Sequence, residues 1–274
     1  MNTSVSKKGS PGTGTAAWPL IGIIIPACNE EACIGPVLEE LLASLDLTKY
    51  VIAVGVNDCA DRTAEVARRY PVVVSETSAR GYGFGCQSAI AALNAAVPSV
   101  AAYVFFAGDG ASDPRQVSSL AAAYGQGYMM VLGARTTCLR NWPVMTLSHV
   151  LANFSLGLWS GLLSGRWFTD LAPLRLIERH LFEALALEEM TFGWTIEAQI
   201  GAARLGAAIC EVTVSERCRI AGEQKVSGVT WRRTFSIGCR IIAAGWRTHR
   251  RYRRTRRTPE RASAKVLAPS QLGA

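Results

Sequence analysis

Tyr103-Val104-Phe105-Phe106-Ala107-Gly108-Asp109-Gly110-Ala111-Ser112-Asp113-Pro114 is the stretch on which the reading of this chain turns. An apolar run with strand character stops abruptly, and a carboxylate, Asp109, stands between two glycines just past its end. In open parallel sheets, ligands bind outside the carboxyl ends of the strands. Flexible glycine backbone lets an acid placed there approach a metal, a phosphate counter-ion or a ribose. Asp113-Pro114 then has the form of a helix N-cap followed by proline in the first turn. The segment reads as strand, acidic loop, helix. A surface turn rich in Gly and Asp would look the same in isolation, so the rest of the chain decides.

Upstream, the pattern alternates between strand and helix. Strands are expected at 20–26, 50–56, 72–75, 102–107 and 129–133, with helices at 35–45, 61–70, 84–96 and 114–124 between and after them. Strands spaced by helical segments argue for βαβ units and a parallel sheet with right-handed crossovers. Each of the first four strands ends in a polar element on the same side of that sheet. Pro26-Ala27-Cys28-Asn29-Glu30-Glu31 follows the first, Asn57-Asp58 the second, Arg80-Gly81-Tyr82-Gly83 the third and Gly108-Asp109 the fourth. Amide and acidic groups suit a nucleobase and ribose, and a basic residue beside glycines suits phosphate. The acid at the fourth strand suits the divalent cation that accompanies a nucleoside diphosphate.

Downstream the pattern changes. No formal charge occurs between Asn141 and Gly165, but Pro143, His149, Asn153 and several hydroxyls make the run too polar for a membrane span. A buried or interface-lying helix is expected there. Two apolar contexts each hold one acid, Thr169-Asp170-Leu171-Ala172-Pro173-Leu174-Arg175 and Phe192-Gly193-Trp194-Thr195-Ile196-Glu197. A strand at 207–214 leads to Glu216-Arg217-Cys218-Arg219 and the loop Gln224-Lys225-Val226-Ser227-Gly228, and a last helix spans 230–246.

Composition narrows the class. With 49% hydrophobic and 18% charged residues in 274, the chain can bury a substantial core and is not a disordered polymer. Its eight cysteines are scattered without a C-x-x-C pair, which excludes a structural zinc site and fits reduced thiols. Residues 1–17 are polar, carry no secretory signal and read as a disordered tail, so a cytoplasmic protein is expected. Net charge is +8, and seven arginines fall between Arg247 and Arg257, which leaves +1 for the remainder (8 − 7). The basicity is a tail at 247–274. With only Trp246 and Tyr252 close by to stack on bases, an anionic membrane surface suits that tail better than nucleic acid.

Ile24-Ile25-Pro26-Ala27-Cys28-Asn29-Glu30-Glu31 resembles the opening signature of inverting family 2 glycosyltransferases of the GT-A fold. Asn57 to Thr63, Arg80 to Gly83, Gly108 to Pro114, Thr169 to Arg175, Gly193 to Glu197 and Lys225 to Gly228 resemble further motifs of that family in the same order. The later ones are most similar to the branch of dolichyl- and polyprenyl-phosphate sugar synthases. The resemblance covers about residues 20–230. It implies an α/β GT-A domain over 18–246. Residues 18–135 would form a Rossmann-like nucleotide-sugar half with a mostly parallel central sheet, and 136–246 a smaller mixed acceptor-side half. It implies a hexosyltransferase that takes a UDP- or GDP-sugar with Mg²⁺ or Mn²⁺ and passes the sugar to a polyprenyl or other lipid phosphate at the cytosolic membrane face.

The resemblance also assigns roles. Pro26, Ala27, Asn29 and Glu30 match the loop that holds the nucleoside, and Asn57 and Asp58 stand where the family places its base-contacting acid. Arg80, Gly81 and Gly108 complete the donor site with Asp109, which matches the second acid of the Asp-x-Asp metal motif. The first acid of that motif is Ala107 here, so Asp109 is the one metal-binding side chain expected. Arg217, Arg219 and Lys225 are candidates to hold an acceptor phosphate, arginine by its bidentate fork. A hydroxyl acceptor would instead need Asp170 or Glu197 as a base. Blander roles compete with these: a turn-capping Asp170, a helix-start Glu197, and an exposed strand face bearing Arg217 and Arg219. His149, His180 and His249 lie outside these loops and read as structural or solvated. Two other functions remain open at this stage, another sugar-nucleotide enzyme on the same fold class and a catalytically degenerate sugar-nucleotide or membrane-binding protein.

Overall fold

The protein is described by a computed structural model, which covers residues 18–141, 145, 147–221 and 231–255. Its centre is a seven-stranded sheet in the order β3-β2-β1-β4-β6-β5-β7. β1 (Ile21–Ala27), β2 (Tyr50–Asn57), β3 (Val73–Thr77) and β4 (Ala102–Phe105) pair in parallel. β5 (Met130–Ala134) and β7 (Ile209–Thr213) also pair in parallel. β6 (Arg175–Glu178) runs antiparallel between β4 and β5. Because β6 is reversed against both neighbours, the other six strands point the same way and their carboxyl ends share one edge. That edge carries the candidate site.

The β1 sequence Ile-Gly-Ile-Ile-Ile-Pro-Ala is buried almost throughout, as a strand covered on both faces must be. Pro26 lies beyond the last β1–β4 pair, Ile24 with Phe105, so its missing N–H removes no rung on that side. Ile21, Ile23 and Ile25 enter the core on one face with Val37, Leu38 and Leu41 of α1 (Glu31–Ser44) and with α4 (Gln116–Gly125). Ile24 enters the other face, with Ala89 and Leu93 of α3 (Tyr82–Ala96). That period-two split places one helical layer on each side of the sheet. Close approach of α3 to β2 depends on glycine at 55, where a Cβ would stand 1.9 Å from the Gly85 carbonyl oxygen.

The acceptor-side half follows a different plan. The expected uncharged helix is α5 (Leu147–Ser164), and α6 (Arg179–Leu185) and α7 (Trp194–Arg204) cover the sheet beyond β6. Short and with Arg175 fully buried, β6 lacks the alternation that marks a strand in sequence. The expected boundary at 246 falls inside α8 (Trp231–Thr255), which continues well into the arginines. Its inward stripe extends from Ala244 to Thr248 and Tyr252 at i, i+4 and i+8, and arginine is a good helix former. Residues 1–17 and 256–274, where the two terminal tails were expected, lie outside the described residues, apart from the stretch 247–255 that α8 absorbs. No helix among the described residues is long and apolar enough to cross a membrane.

Candidate active site

The loops after β1 and β2 are laced together at their backbones. Asn29 (φ +53°) and Asp58 (φ +48°) both adopt the left-handed conformation that Asn and Asp tolerate best. Asn29 Oδ1 accepts the Ala60 N–H at 2.7 Å, and the Glu30 N–H donates to Thr63 Oγ1 at 2.9 Å. Asp61 accepts the Glu31 N–H at 3.0 Å and the Thr63 hydroxyl at 2.5 Å. Asn57 is buried and donates to the Gly81 carbonyl at 3.2 Å, tying β2 to the turn that opens α3. Gly81 (φ +152°) is required there, since a Cβ would meet the Met190 carbonyl oxygen at 2.4 Å. Arg80 is exposed and faces Asp58 at 3.6 Å. Beside these loops opens a cleft of roughly 480 Å³ bordered by Asn29, Glu30, Cys33, Asp61 and Arg62. Asp109 does not line it.

At the end of β4, Asp109 Oδ1 accepts the Ala111 N–H at 3.0 Å. The segment after β7 crosses over this loop. Arg217 N–H donates to the Ala111 carbonyl at 2.8 Å, Ile220 N–H donates to the Asp109 carbonyl at 3.1 Å, and Ser112 bridges with Glu216. Arg217 and Arg219 alternate along this extended segment and so take different partners. Arg217 turns to α1, donating to both oxygens of Glu40 at 2.6 and 2.8 Å and to the Ser112 carbonyl. Arg219 enters the site: Nη1 donates to Asp109 Oδ2 at 2.9 Å and Nη2 to the Glu30 carboxylate at 2.9 and 3.1 Å. One guanidinium thus joins the acids expected after β1 and β4. Lys225 lies outside the described residues.

Behind this cluster is a second one. Asp170 is fully buried, and its two oxygens accept from the Arg135 N–H, Nε and Nη2 at 2.9 to 3.0 Å. Arg135 Nη1 donates to Glu216 at 3.0 Å. Burial works against the Arg135 charge, but the Asp170 and Glu216 carboxylates outweigh it and hold the guanidinium above its ordinary pKa. Burial pushes the Glu216 carboxyl up despite the opposing pull of Arg135, with Asp170 and Asp109 adding to the rise. Glu216 is therefore a carboxylate between the two clusters, part exposed and with raised proton affinity, for which the sequence reading found no role. Its signal was the position just past β7, on the same edge as the other site loops.

A search of protein families matches residues 22–181 to the one described as glycosyl transferase family 2, more than half of the 274 residues. The chain belongs to glycosyl transferase family 2. Among its relatives is an "uncharacterized glycosyltransferase" of Mycobacterium tuberculosis, 29% identical over 214 residues, 77% of this chain and 92% of the relative. A dolichyl-phosphate hexose transferase of Haloferax volcanii is 28% identical over 207 residues, 75% of this chain and 86% of the relative. Among solved structures, a glucosyl-3-phosphoglycerate synthase of Mycobacterium tuberculosis with Mn²⁺, uridine diphosphate and phosphoglyceric acid superposes with a TM-score of 0.62. It is 20% identical, over 85% of this chain and 79% of that one. The fold is that of the GT-A glycosyltransferases, and the protein is a glycosyltransferase. The reading as another kind of sugar-nucleotide enzyme gives way to that finding.

In this glycosyltransferase, two expected bases are corrected by their surroundings. A base must reach the acceptor oxygen, and Asp170 is sealed from solvent with both oxygens committed to Arg135. Glu197, in the first turn of α7, is 2% exposed and accepts the Glu188 and Glu189 N–H groups while pairing with Arg251 at 3.0 Å. Burial raises its pKa, and those two N–H groups and Arg251 oppose the rise. Glu197 fastens the 186–190 loop and α8 to the body, which is a structural role. Arg217, held by Glu40, is likewise occupied away from Asp109. His180 is exposed beside Glu183, and His249 Nδ1 lies 2.7 Å from the Leu163 carbonyl oxygen, both as expected of residues outside the site. Three motifs of the sequence meet instead at Arg175, which donates to the Ala172 carbonyl, Thr195 Oγ1 and the Tyr82 hydroxyl and lies 5.1 Å from the Phe105 ring centre.

Proposed function

We propose that this glycosyltransferase moves a hexose, with inversion, from a UDP- or GDP-sugar to the phosphate of a polyprenyl or other lipid phosphate. The observation that carries the reading is the Arg219 guanidinium between Glu30 and Asp109, where the β1, β4 and β7 loops meet. Glu30, with Pro26, Ala27, Asn29, Asn57 and Asp58, would bind the nucleoside, and Arg80 with Gly81 and Gly108 would border the diphosphate. The dolichyl-phosphate hexose transferase among the relatives supports the acceptor class.

The acids at this point suit a hard divalent cation such as Mg²⁺ or Mn²⁺, because hard oxygen donors from two loops converge on a single positive charge, here a guanidinium. Asp109 would hold the ion, with water and the donor diphosphate supplying the oxygens that the acid missing at Ala107 does not. When bound, the ion would neutralise charge on the leaving diphosphate. Arg219, released from the acids, would be free to grip a phosphate with its fork. The acceptor oxygen attacks the anomeric carbon from the face opposite the diphosphate. The carbon–oxygen bond to the diphosphate breaks, and the nucleoside diphosphate leaves with the electron pair. A phosphate oxygen is already anionic and gives up no proton. A hydroxyl acceptor would have to lose one, and Glu216 is the placed carboxylate.

Incubating the protein with UDP- and GDP-hexoses, Mn²⁺ and polyprenyl phosphate, and following hexose transfer to lipid, tests the reading. Lipid-linked hexose that disappears in Asp109→Ala is expected. Transfer only to soluble hydroxyl acceptors would reject the phosphate assignment.

A further inference from the structure

We propose that the outer faces of α5 and α8 form a docking surface for an anionic lipid bilayer. The two helices lie side by side and bury one stripe each. Leu163 of α5 and Ala244 of α8 pack with Ile196 and Ile200 of α7, and Trp159 and Ile241 close the seam. His249 and Gly245 also meet Leu163. What these helices leave outside is unusual. Leu151, Phe154 and Leu162 (64% exposed) share the outer side of α5, at spacings of three and eight residues, and Trp167 (72% exposed) follows the helix. On α8, Ile242 and Trp246 stand at i and i+4, both exposed. Several large exposed apolar side chains on two adjoining helices mark a contact with something else.

Charge identifies the occupant. Trp231–Thr255 contains eight arginines and no Asp or Glu, and Leu147–Ser164 contains no charged residue at all. Not all of these arginines face outward. Arg247 pairs with Glu189, and Arg251 with Glu188 and Glu197, so part of the positive charge at 247–257 is spent in holding α8 to the body. Arg250 and Arg253 are exposed at i+8 and i+11 from Ile242, on the Ile242–Trp246 side, whereas Arg240 borders a cleft with Glu189 and Arg247. Arg250 follows Trp246 by one turn and its guanidinium lies 5.3 Å from that ring's centre, a cation–π pair at the surface. The platform therefore combines large apolar side chains with outward arginines.

A second copy of the chain is a poor match. A two-fold contact through this face would set the arginines of α8 against their own kind, with no acid on either helix to answer them. Nucleic acid would meet the arginines and leave Leu151, Phe154, Leu162 and Trp167 in water. An anionic bilayer meets both features, with phosphate head groups for the arginines and the acyl boundary for the apolar residues. The helices would lie on the bilayer rather than in it. This inference deepens the lipid-phosphate reading of the acceptor but is tested without donor or acceptor.

The experiment is co-sedimentation of the full chain with vesicles of phosphatidylcholine, with and without about one third phosphatidylglycerol. At least about tenfold tighter binding to the anionic vesicles is expected, weakening as salt rises from about 0.1 to 0.5 M. Leu162→Ser with Trp246→Ser should lower binding about tenfold, since apolar burial drives insertion. Arg250→Gln and Arg253→Gln should each lower it about fivefold and bring it toward the level seen with neutral lipid. All four side chains are exposed, and an unchanged melting curve will show that the fold is kept. Equal binding to neutral and anionic vesicles, or undiminished binding by the Leu162→Ser, Trp246→Ser double variant or by both single arginine variants, overturns the proposal. So does a wild type that self-associates in sedimentation, binds no vesicles, and becomes monomeric in the Leu162→Ser, Trp246→Ser variant.

Discussion

Two arginine–carboxylate clusters stand one behind the other at the carboxyl edge of the sheet, and they differ in what surrounds them. Arg135, itself 13% exposed, holds the fully buried Asp170 with three hydrogen bonds. Arg219 holds Asp109 and Glu30 with its two terminal nitrogens, and the Asp109 side chain keeps 21% of its surface exposed. The chemistry is the same. The difference lies in exchangeability. A fully buried carboxylate cannot lose its partner without stranding a charge, whereas Asp109, the most open member of an otherwise enclosed outer cluster (Arg219 14% and Glu30 9% exposed), can trade the guanidinium for a metal ion at smaller cost. The inner cluster ties the β7 loop to the body through Glu216, and the outer one is the proposed ligand site.

Substitution should separate them. Asp170→Asn leaves Arg135 without its main counter-charge in a buried site, and a loss of about 3–5 kcal/mol in unfolding free energy is expected by urea titration. A loss under about 1 kcal/mol would show that the inner cluster is as exchangeable as the outer. Asp109→Asn should do the opposite. Its melting curve should stay near wild type, while hexose transfer falls by about 10²–10³, the range for removing one electrostatic stabiliser of the leaving group. A stable Asp109→Asn protein with full activity would remove the outer cluster from the reaction.

These two aspartates also show what the sequence could and could not reveal. The parallel half was legible because each strand of the first half is an apolar run ending in a polar loop, and βαβ connectivity leaves those ends on one edge. Asp109 followed from that rule. Asp170 lies in an equally motif-like stretch, Thr169 to Arg175, but nothing in the spacing shows that Arg135, thirty-five residues earlier, folds back to enclose it. The same holds for Glu197 and Arg251, which are distant in sequence and in contact in space. Long-range ion pairs between loops leave no local periodicity to read. The arginines from 247 to 255 misled in another way: composition suggested a tail, and the buried stripe through Thr248 and Tyr252 was hidden beneath the charge.

The outer cluster can be probed further by changing its cation. Arg219→Lys keeps the charge but loses the fork that reaches Glu30 and Asp109 together. About a tenfold fall in kcat/KM is expected, carried mainly by KM for a phosphate acceptor, and Arg219→Gln should fall further. An unchanged KM with both variants would leave Arg219 outside acceptor binding. A smaller effect, of opposite sign, is expected at Ala107. Ala107→Asp restores the acid that the family motif carries there and should tighten Mn²⁺ binding about tenfold, or about 1.4 kcal/mol, in calorimetry. If the affinity does not move, Asp109 is not where the ion sits.

The contact between the two clusters is Glu216, and its titration gives the finest test. Burial raises its pKa in the folded protein above the ordinary 4.5 of a glutamate. The folded state therefore holds this proton more tightly than the unfolded state does. As pH climbs from about 4.5 through the raised value, the unfolded chain releases the proton first, so this group costs the fold stability that it did not cost in acid. Replacing it by glutamine removes that proton from both states. The wild-type melting temperature, relative to Glu216→Gln, should decline across that interval and level off above it. A difference that is flat with pH would mean that Arg135 offsets the burial of Glu216 in full. The carboxylate would then belong to the closed inner cluster and not to the boundary between the two.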